Sequence, residues 1–374
     1  MYKVAITGTG VFTPKEVITN DELVTAFNAY ADKFNFENND LIARGAVAAK
    51  EHSSSDFIFA ASGITQRHVM NKSGILDSGT MHPSFRKRSD DEPGIMAEIA
   101  LDACTKALKQ SGKSASDIDC IIVAASNFER PYPAIAVEVQ DLLGTSGFGF
   151  DMNVACSSAT FGIQAATDMI KAGSIRAALV VNPEICSGHL EWRDRDCHFI
   201  FGDVCTATLL ERTDNAKGQY FEILSTKCAT QFSNNIRNNN GFLRRSLPAG
   251  LTDQRDMQFM QEGRKVFKQV VPMVSKHILD HLSAEGRDAS ELKRMWLHQA
   301  NKAMNDFIGR KVLGRTPEPH EQPNILQDYA NTSSAGSIIS FALHSDNLNN
   351  DDLGLICSFG AGYSVGSVLL KRVA

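Results

Sequence analysis

The chain has 374 residues, 43% apolar and 22% charged, a mix that fits a folded globular protein and excludes wholesale disorder. Its 38 Lys and Arg against 43 Asp and Glu leave a net charge of −5, without the basic excess of a nucleic-acid binder. No apolar run reaches the roughly 18 residues that cross a bilayer, the N-terminus lacks a signal-peptide pattern, and the eight cysteines form no CxxC pair. The expectation is a soluble cytoplasmic protein with reduced thiols, no metal, no nucleic acid and no membrane association.

Val4 to Thr9 is β-branched and predicts a first strand. Gly8-Thr9-Gly10 invites a dinucleotide-binding reading, but Phe12 and Thr13 stand where that fingerprint needs a third glycine, and no helix opens there. Residues 21–52 read as helix, with Leu23, Phe27, Tyr30 and Phe34 on one face. Residues 70–93, rich in Ser, Gly, Asp and Pro, read as a surface loop. Ile95 to Gln110 is an amphipathic helix stopped by Gly112, and Ile118 to Ala125 a buried strand.

Three segments of the first half then recur in the second, in the same order. Ile118–Asn127 parallels Leu292–Asn301, and each leads into a helix that closes on Leu-Gly, at Gly144 and Gly314. Ala155-Cys156-Ser157-Ser158 parallels Ala330-Asn331-Thr332-Ser333. Phe201-Gly202-Asp203 with Thr208-Leu209-Leu210 resembles Phe359-Gly360-Ala361 with Val368-Leu369-Leu370. The pattern predicts an α/β protein of two duplicated halves, 1–212 and 213–374, packed about a pseudo-twofold axis, with a cap-like insertion at about 25–92. The repeat sets Cys156 and Asn331 at equivalent helix starts and brings His298 to the same axis.

Cys156 lies between the strand Phe150–Ala155 and a helix running to about Lys171. A thiol at a helix N-terminus meets unpaired N–H groups and the positive dipole end, which favour the thiolate. The other seven cysteines read as inert buried thiols. His298 ends the apolar strand Met295-Trp296-Leu297, where sites concentrate. Asn331 alone would pass for a helix cap. Together, thiol, imidazole and amide suit acyl-thioester chemistry: a thiolate attacks a thioester, and neutral donors hold an enolate that a carboxylate would repel. A cysteine protease uses the same residue types, but there the histidine contacts the thiol and the asparagine orients the histidine.

Ala155-Cys156-Ser157-Ser158, His298-Gln299-Ala300-Asn301, Asn331-Thr332-Ser333 and Ser358-Phe359-Gly360-Ala361-Gly362-Tyr363 occur in an order that resembles the β-ketoacyl-[acyl-carrier-protein] synthase III family of the thiolase superfamily, over nearly the whole chain. The resemblance implies a thiolase-like α-β-α-β-α fold, a homodimer, and no metal or redox cofactor. It implies that Cys156 is acylated by a primer acyl-CoA, that His298 and Asn331 assist decarboxylation of malonyl carried on acyl carrier protein, and that a Claisen condensation follows. The N–H groups of Cys156 and Ala361 would form the oxyanion hole, Phe359 would sit above the thiol, and Tyr132 would reach into the partner subunit's acyl pocket. Phe57 and Arg67 stand as equivalents of the CoA-holding residues. Arg264, Lys265, Lys268, Lys302, Arg310 and Lys311 form a candidate basic dock for the acidic carrier protein. The insertion would cap the acyl channel and favour a primer longer than acetyl. The competing readings are a polyketide or head-to-head synthase, and a non-catalytic partner subunit; retention of all three residues speaks against the last.

Overall fold

The computed structural model describes residues 1–248, 250 and 253–374. It opens with β1 (Val4–Phe12) and β2 (Glu16–Thr19), followed by helices α1 (Asn20–Glu37), α2 (Asn39–Ala43) and α3 (Ser55–Ser62). β3 (Gln66–Val69) pairs back on β2, and a single turn, α4 (Lys72–Leu76), precedes α5 (Ile95–Ser111). β4 (Cys120–Ala124), α6 (Ile135–Leu143), β5 (Phe148–Met152), α7 (Ser158–Ala172), β6 (Ala177–Ile185) and β7 (Asp203–Arg212) complete the first part. The second runs through β8 (Tyr220–Ser233), the short β9 (Ile236–Arg237) and β10 (Met260–Gln261), then α8 (Gly263–Ala284), β11 (Leu292–Leu297) and α9 (Lys302–Leu313). It ends with α10 (Leu326–Tyr329), α11 (Gly336–Leu343), β12 (Leu353–Gly360) and β13 (Gly362–Val373).

The helix expected over 21–52 is broken. Thr19 and Glu22 form a capping box that starts α1, but the Asn38 side chain bonds back to the Phe34 carbonyl at 2.9 Å and closes it. The strand expected to reach Ala155 stops at Met152, because Ala155 adopts φ +48°, which no strand continues. Gly8 and Gly10 serve packing: a Cβ on them would lie 2.4 Å from the Ala107 carbonyl oxygen and 1.9 Å from that of Ala103, both on α5.

Nine strands form one sheet in the order β11-β12-β13-β8-β1-β7-β6-β4-β5. Its two arms repeat residue for residue. In one, Ile6 pairs with Leu210 and, across a bulge, Gly8 with Leu209; in the other, Ile223 pairs with Leu370 and, across a bulge, Ser225 with Leu369. Leu209 neighbours Leu179 and then Ile121, as Leu369 neighbours Leu355 and then Met295. Counting along β4 and β11 from Ile121 and Met295 makes Ala124 the twin of His298. Counting along β6 and β12 from Leu179 and Leu355 makes Glu184 the twin of Gly360.

Three apolar clusters give the layers. α5 and α6 cover one face of the first arm through Ala103, Ala107 and Val139. α8 and α9 cover the matching face of the second through Val270, Val274 and Ile308. Between the arms lie α7 and α11, whose Ile163, Ile170, Ile338 and Phe341 pack with strand residues of both. Fully burying each such side chain contributes about 1.5–3 kcal/mol. The result is the α-β-α-β-α stack of a thiolase-like fold. The segment 25–92 packs Phe27, Ile58, Ile75 and Met81 onto Trp192, Phe199 and Phe201, so it covers the strip that lines the site.

Candidate active site

The turn after β5 is built to present one side chain. The Asn153 Oδ1 accepts from the Ala155 N–H at 2.9 Å, Ala155 takes its left-handed φ, and a short 3-10 turn over Ala155–Ser157 leads into α7. Cys156 thereby faces a cavity of about 380 Å³ that is also lined by His298, Asn331, Phe359 and Gly360. The remaining wall is largely apolar: Ile64, Phe199, Phe201, Phe259, Val266 and Met304 among others.

His298 follows β11, its N–H donating to the Cys357 carbonyl at 2.8 Å while the Asn305 amide donates to the His298 carbonyl at 3.0 Å. Its ring stands edge-on to Phe359, 5.2 Å between centroids and 83° between planes. Asn331 is fixed at both backbone ends, to the Ile200 carbonyl at 2.9 Å and the Gly202 N–H at 3.1 Å. Its Oδ1 accepts from the Ser333 N–H at 2.9 Å, which leaves the amide N–H donors for the cavity. The Ser333 hydroxyl donates to the Cys156 sulfur at 3.5 Å.

Burial dominates the protonation of both groups. It pushes the Cys156 thiol up to about 11, against the lowering effect of the Ser333 hydroxyl and the N–H groups of Cys156 and Ala361. It pulls the His298 imidazole down to about 3, so the ring is neutral at ordinary pH. The thiolate preference expected from the helix N-terminus is therefore outweighed: the resting sulfur is a thiol.

Two expectations of the repeat are corrected. Phe359-Gly360 ends β12, the counterpart of β6, and so does not match Phe201-Gly202, which leads into β7. The two active-site turns also pair differently. Val154 (φ −131°, ψ 38°) and Ala155 (φ +48°) match Thr332 (φ −106°, ψ 33°) and Ser333 (φ +50°), each pair preceded by an asparagine whose Oδ1 takes the N–H two residues on. The twin of Asn331 is therefore Asn153, and the twin of Cys156 is Ser334. Matching by residue type had slipped the register by three.

Other expected site residues divide. Arg67 does not face the cavity: it is 0% exposed, and its guanidinium donates to the Ile18 carbonyl, the Asn20 Oδ1 and the Phe199 carbonyl. With its donors committed inside, it has no face for CoA. Phe57 is half-buried beside Phe199, and the Arg195 guanidinium lies 4.2 Å over its ring. Tyr132 is 81% exposed and does not line the cavity of its own chain. Arg264, Lys265 and Lys268 are exposed on α8, and Lys302, Arg310 and Lys311 on α9, two helices joined at their surface by the Phe267–Phe307 pair at 5.5 Å. Lys265 is paired with Glu262 and Lys302 with Asp306, whereas Arg264 and Lys268 carry no ion pair among the described residues.

Sequence reading missed Ser333, Arg195 and Glu184. For Glu184 the signal was present, a carboxylate inside the apolar run Ala177–Ile185. A wider surface hollow of about 750 Å³ around Arg294, Asn305 and His344 is lined by no cysteine. Among the described residues no cluster of His, Cys, Asp or Glu would hold a metal ion, and no helix is long and apolar enough to cross a membrane.

The 3-oxoacyl-[acyl-carrier-protein] synthase III family model matches residues 150–231, and the model of its C-terminal domain matches residues 282–372. A Pseudomonas aeruginosa protein named β-ketodecanoyl-[acyl-carrier-protein] synthase is 56% identical over 348 residues, 93% of this chain and 99% of that protein. The chain belongs to the 3-oxoacyl-[acyl-carrier-protein] synthase III family. It is a condensing acyltransferase of fatty-acid synthesis. A β-ketoacyl-[acyl-carrier-protein] synthase III of Acidiphilium cryptum is 28% identical over 99% of this chain and 100% of its own. The solved 3-oxoacyl-[acyl-carrier-protein] synthase III of Aquifex aeolicus shares the fold with a TM-score of 0.77 and 24% identity, covering 98% of this chain and 99% of that one.

Proposed function

We propose that this synthase condenses a medium-chain acyl primer, carried in as acyl-CoA, with malonyl-[acyl-carrier-protein]. The observation that supports it most is the meeting of Cys156, His298 and Asn331 on one apolar-walled cavity. The Cys156 sulfur loses its proton and attacks the thioester carbonyl, the N–H groups of Cys156 and Ala361 hold the oxygen, and CoA leaves as the thiol. Malonyl-[acyl-carrier-protein] then loses CO₂. The neutral imidazole of His298 and the amide of Asn331 donate to the enolate oxygen, where a carboxylate would repel it. The enolate carbon bonds to the acyl carbon, the bond from that carbon to the Cys156 sulfur breaks and the sulfur takes back a proton, and 3-oxoacyl-[acyl-carrier-protein] is released. A ten-carbon product such as the Pseudomonas relative's name implies needs an eight-carbon primer plus the two carbons that malonyl supplies.

Arg195 over Phe57 offers a flat cationic and aromatic seat for the nucleotide end of CoA. Arg264 and Lys268, the uncompensated cations of α8, form the centre of the carrier-protein dock. β5 is an edge strand, and Phe148 on it is 46% exposed, as Tyr132 and Val137 are also exposed. Such an edge is covered by pairing with the same strand of a second copy, so the synthase is a homodimer to whose sites Tyr132 is carried across the twofold. Eight free cysteines suit the reducing cytosol.

Incubation with radiolabelled acyl-CoAs of two to sixteen carbons tests the reading. Label should enter the protein best near eight carbons, vanish in Cys156→Ala, and reappear in 3-oxoacyl-[acyl-carrier-protein] when malonyl-[acyl-carrier-protein] is added. Label retained by Cys156→Ala would overturn it.

A further inference from the structure

The twin registers show what became of the second copy of the active-site turn. At the catalytic turn the cradle opposite Cys156 is Gly360, and it is empty of side chain. At the twin turn the position opposite Ser334 is Glu184, and its carboxylate fills the cradle. Glu184 is 1% exposed. It accepts from the Ser334 N–H at 3.2 Å and the Ser334 hydroxyl at 2.5 Å, and from the Ser126 N–H at 3.0 Å and hydroxyl at 2.6 Å. The Ser334 N–H is the twin of the Cys156 N–H proposed for the oxyanion hole. The carboxylate thus occupies, in the duplicate, the place a substrate oxygen takes at the site.

We propose that Glu184 is a positioning residue for the condensation: a built-in carboxyl group that locks the twin hole and thereby holds the Asn331–Ser334 turn. The inference rests on the roles proposed above for Cys156 and Asn331. The turn needs holding, since Ala330 and Ser333 sit at φ +57° and +50°, strained conformations for residues other than glycine. Ser334 is the link: its hydroxyl and N–H tie the strained segment to β6 in the other arm. The Cys156 turn has separate anchors, Asn153 to the Ala155 N–H and the Ser158 hydroxyl to the Ala155 carbonyl at 2.7 Å. Loss of Glu184 therefore loosens Asn331 and, with it, the Ser333 hydroxyl on the Cys156 sulfur, while the backbone that presents Cys156 keeps its own anchors.

Glu184→Gln keeps the shape but leaves one acceptor oxygen for two serines. In the full-length protein it lowers malonyl-[acyl-carrier-protein] decarboxylation by about 10- to 100-fold, the range for second-layer partners of an active group. Loading of Cys156 from labelled octanoyl-CoA stays within about threefold. Ser334→Ala cuts the same link from the other side with little change in volume and gives the same split; the double variant loses no more than the worse single. Decarboxylation at the wild-type rate in either variant, or equal loss of loading and decarboxylation, overturns the latch. Wild type and Asn331→Ala run alongside. A wild type that neither loads nor decarboxylates refutes the catalytic reading itself, whereas a competent wild type with an indifferent Glu184→Gln refutes the latch alone.

Discussion

A Cβ built on Gly360 would lie 2.6 Å from the Cβ of Cys156 and 3.2 Å from its sulfur. Backbone stands on both sides of this contact, so neither partner can swing away. Gly360→Ala should fold, because β12 is buried and regular, but it should load acyl groups from CoA at least about 100-fold more slowly, equivalent to about 2.7 kcal/mol. Single-turnover labelling of Cys156 checks this; loading within a few-fold of wild type would show that the cradle is not used.

The opposed displacements of Cys156 and His298 set a pH dependence. With the thiol pushed up to about 11, the reactive anion is scarce at neutral pH and grows as pH rises. With the imidazole pulled down to about 3, no charge is lost from His298 across the physiological range. Iodoacetamide labelling of Cys156 should climb about tenfold per pH unit from 7 to 10, and His298→Ala should leave that slope unchanged. A plateau below pH 7 would instead indicate a thiolate–imidazolium pair.

The carrier-protein dock predicts a separation of parameters. Arg264→Glu with Lys268→Glu reverses two charges on the exposed face of α8. KM for malonyl-[acyl-carrier-protein] should rise about tenfold or more and become less salt-sensitive, while loading from acyl-CoA is unaffected. Steady-state kinetics at two ionic strengths decide it.

Much of this was legible in the chain itself. The paired Leu209-Leu210 and Leu369-Leu370 steps register the two arms, because strand residues keep their spacing when duplicated. The helix stops at Gly112, Gly144 and Gly314 were legible because each takes the left-handed cap that favours glycine. The partnership of Cys156 with Ser334 was not legible. A turn is defined by backbone dihedrals, and Ala155 and Ser333 share theirs without sharing a side chain. Arg67 misled for a different reason: a cation after a Ser-Gly-Ile turn looks like a surface group, and nothing local reveals that three carbonyl and amide oxygens wait to receive it.

The exposed edge at β5 can be tested directly. Phe148→Asp places a charge on the strand where a second copy would pair, and should shift the molecule from dimer to monomer in light scattering. Since Tyr132 is proposed to serve the partner's pocket, Tyr132→Ala should leave the mass unchanged yet alter which acyl-CoA lengths load. A monomeric wild type would remove both statements.

The pairing of β1 with β8, at Val4–Ile223, Ala5–Glu222 and Ile6–Phe221, has a consequence for how the molecule could be divided. α7 and α11 find their apolar partners only in the company of both arms. A fragment ending at Arg212 would display an uncovered greasy slab and an open strand border, as would its complement. The present chain, whose two arms share this interior, should therefore melt as one body and not arm by arm.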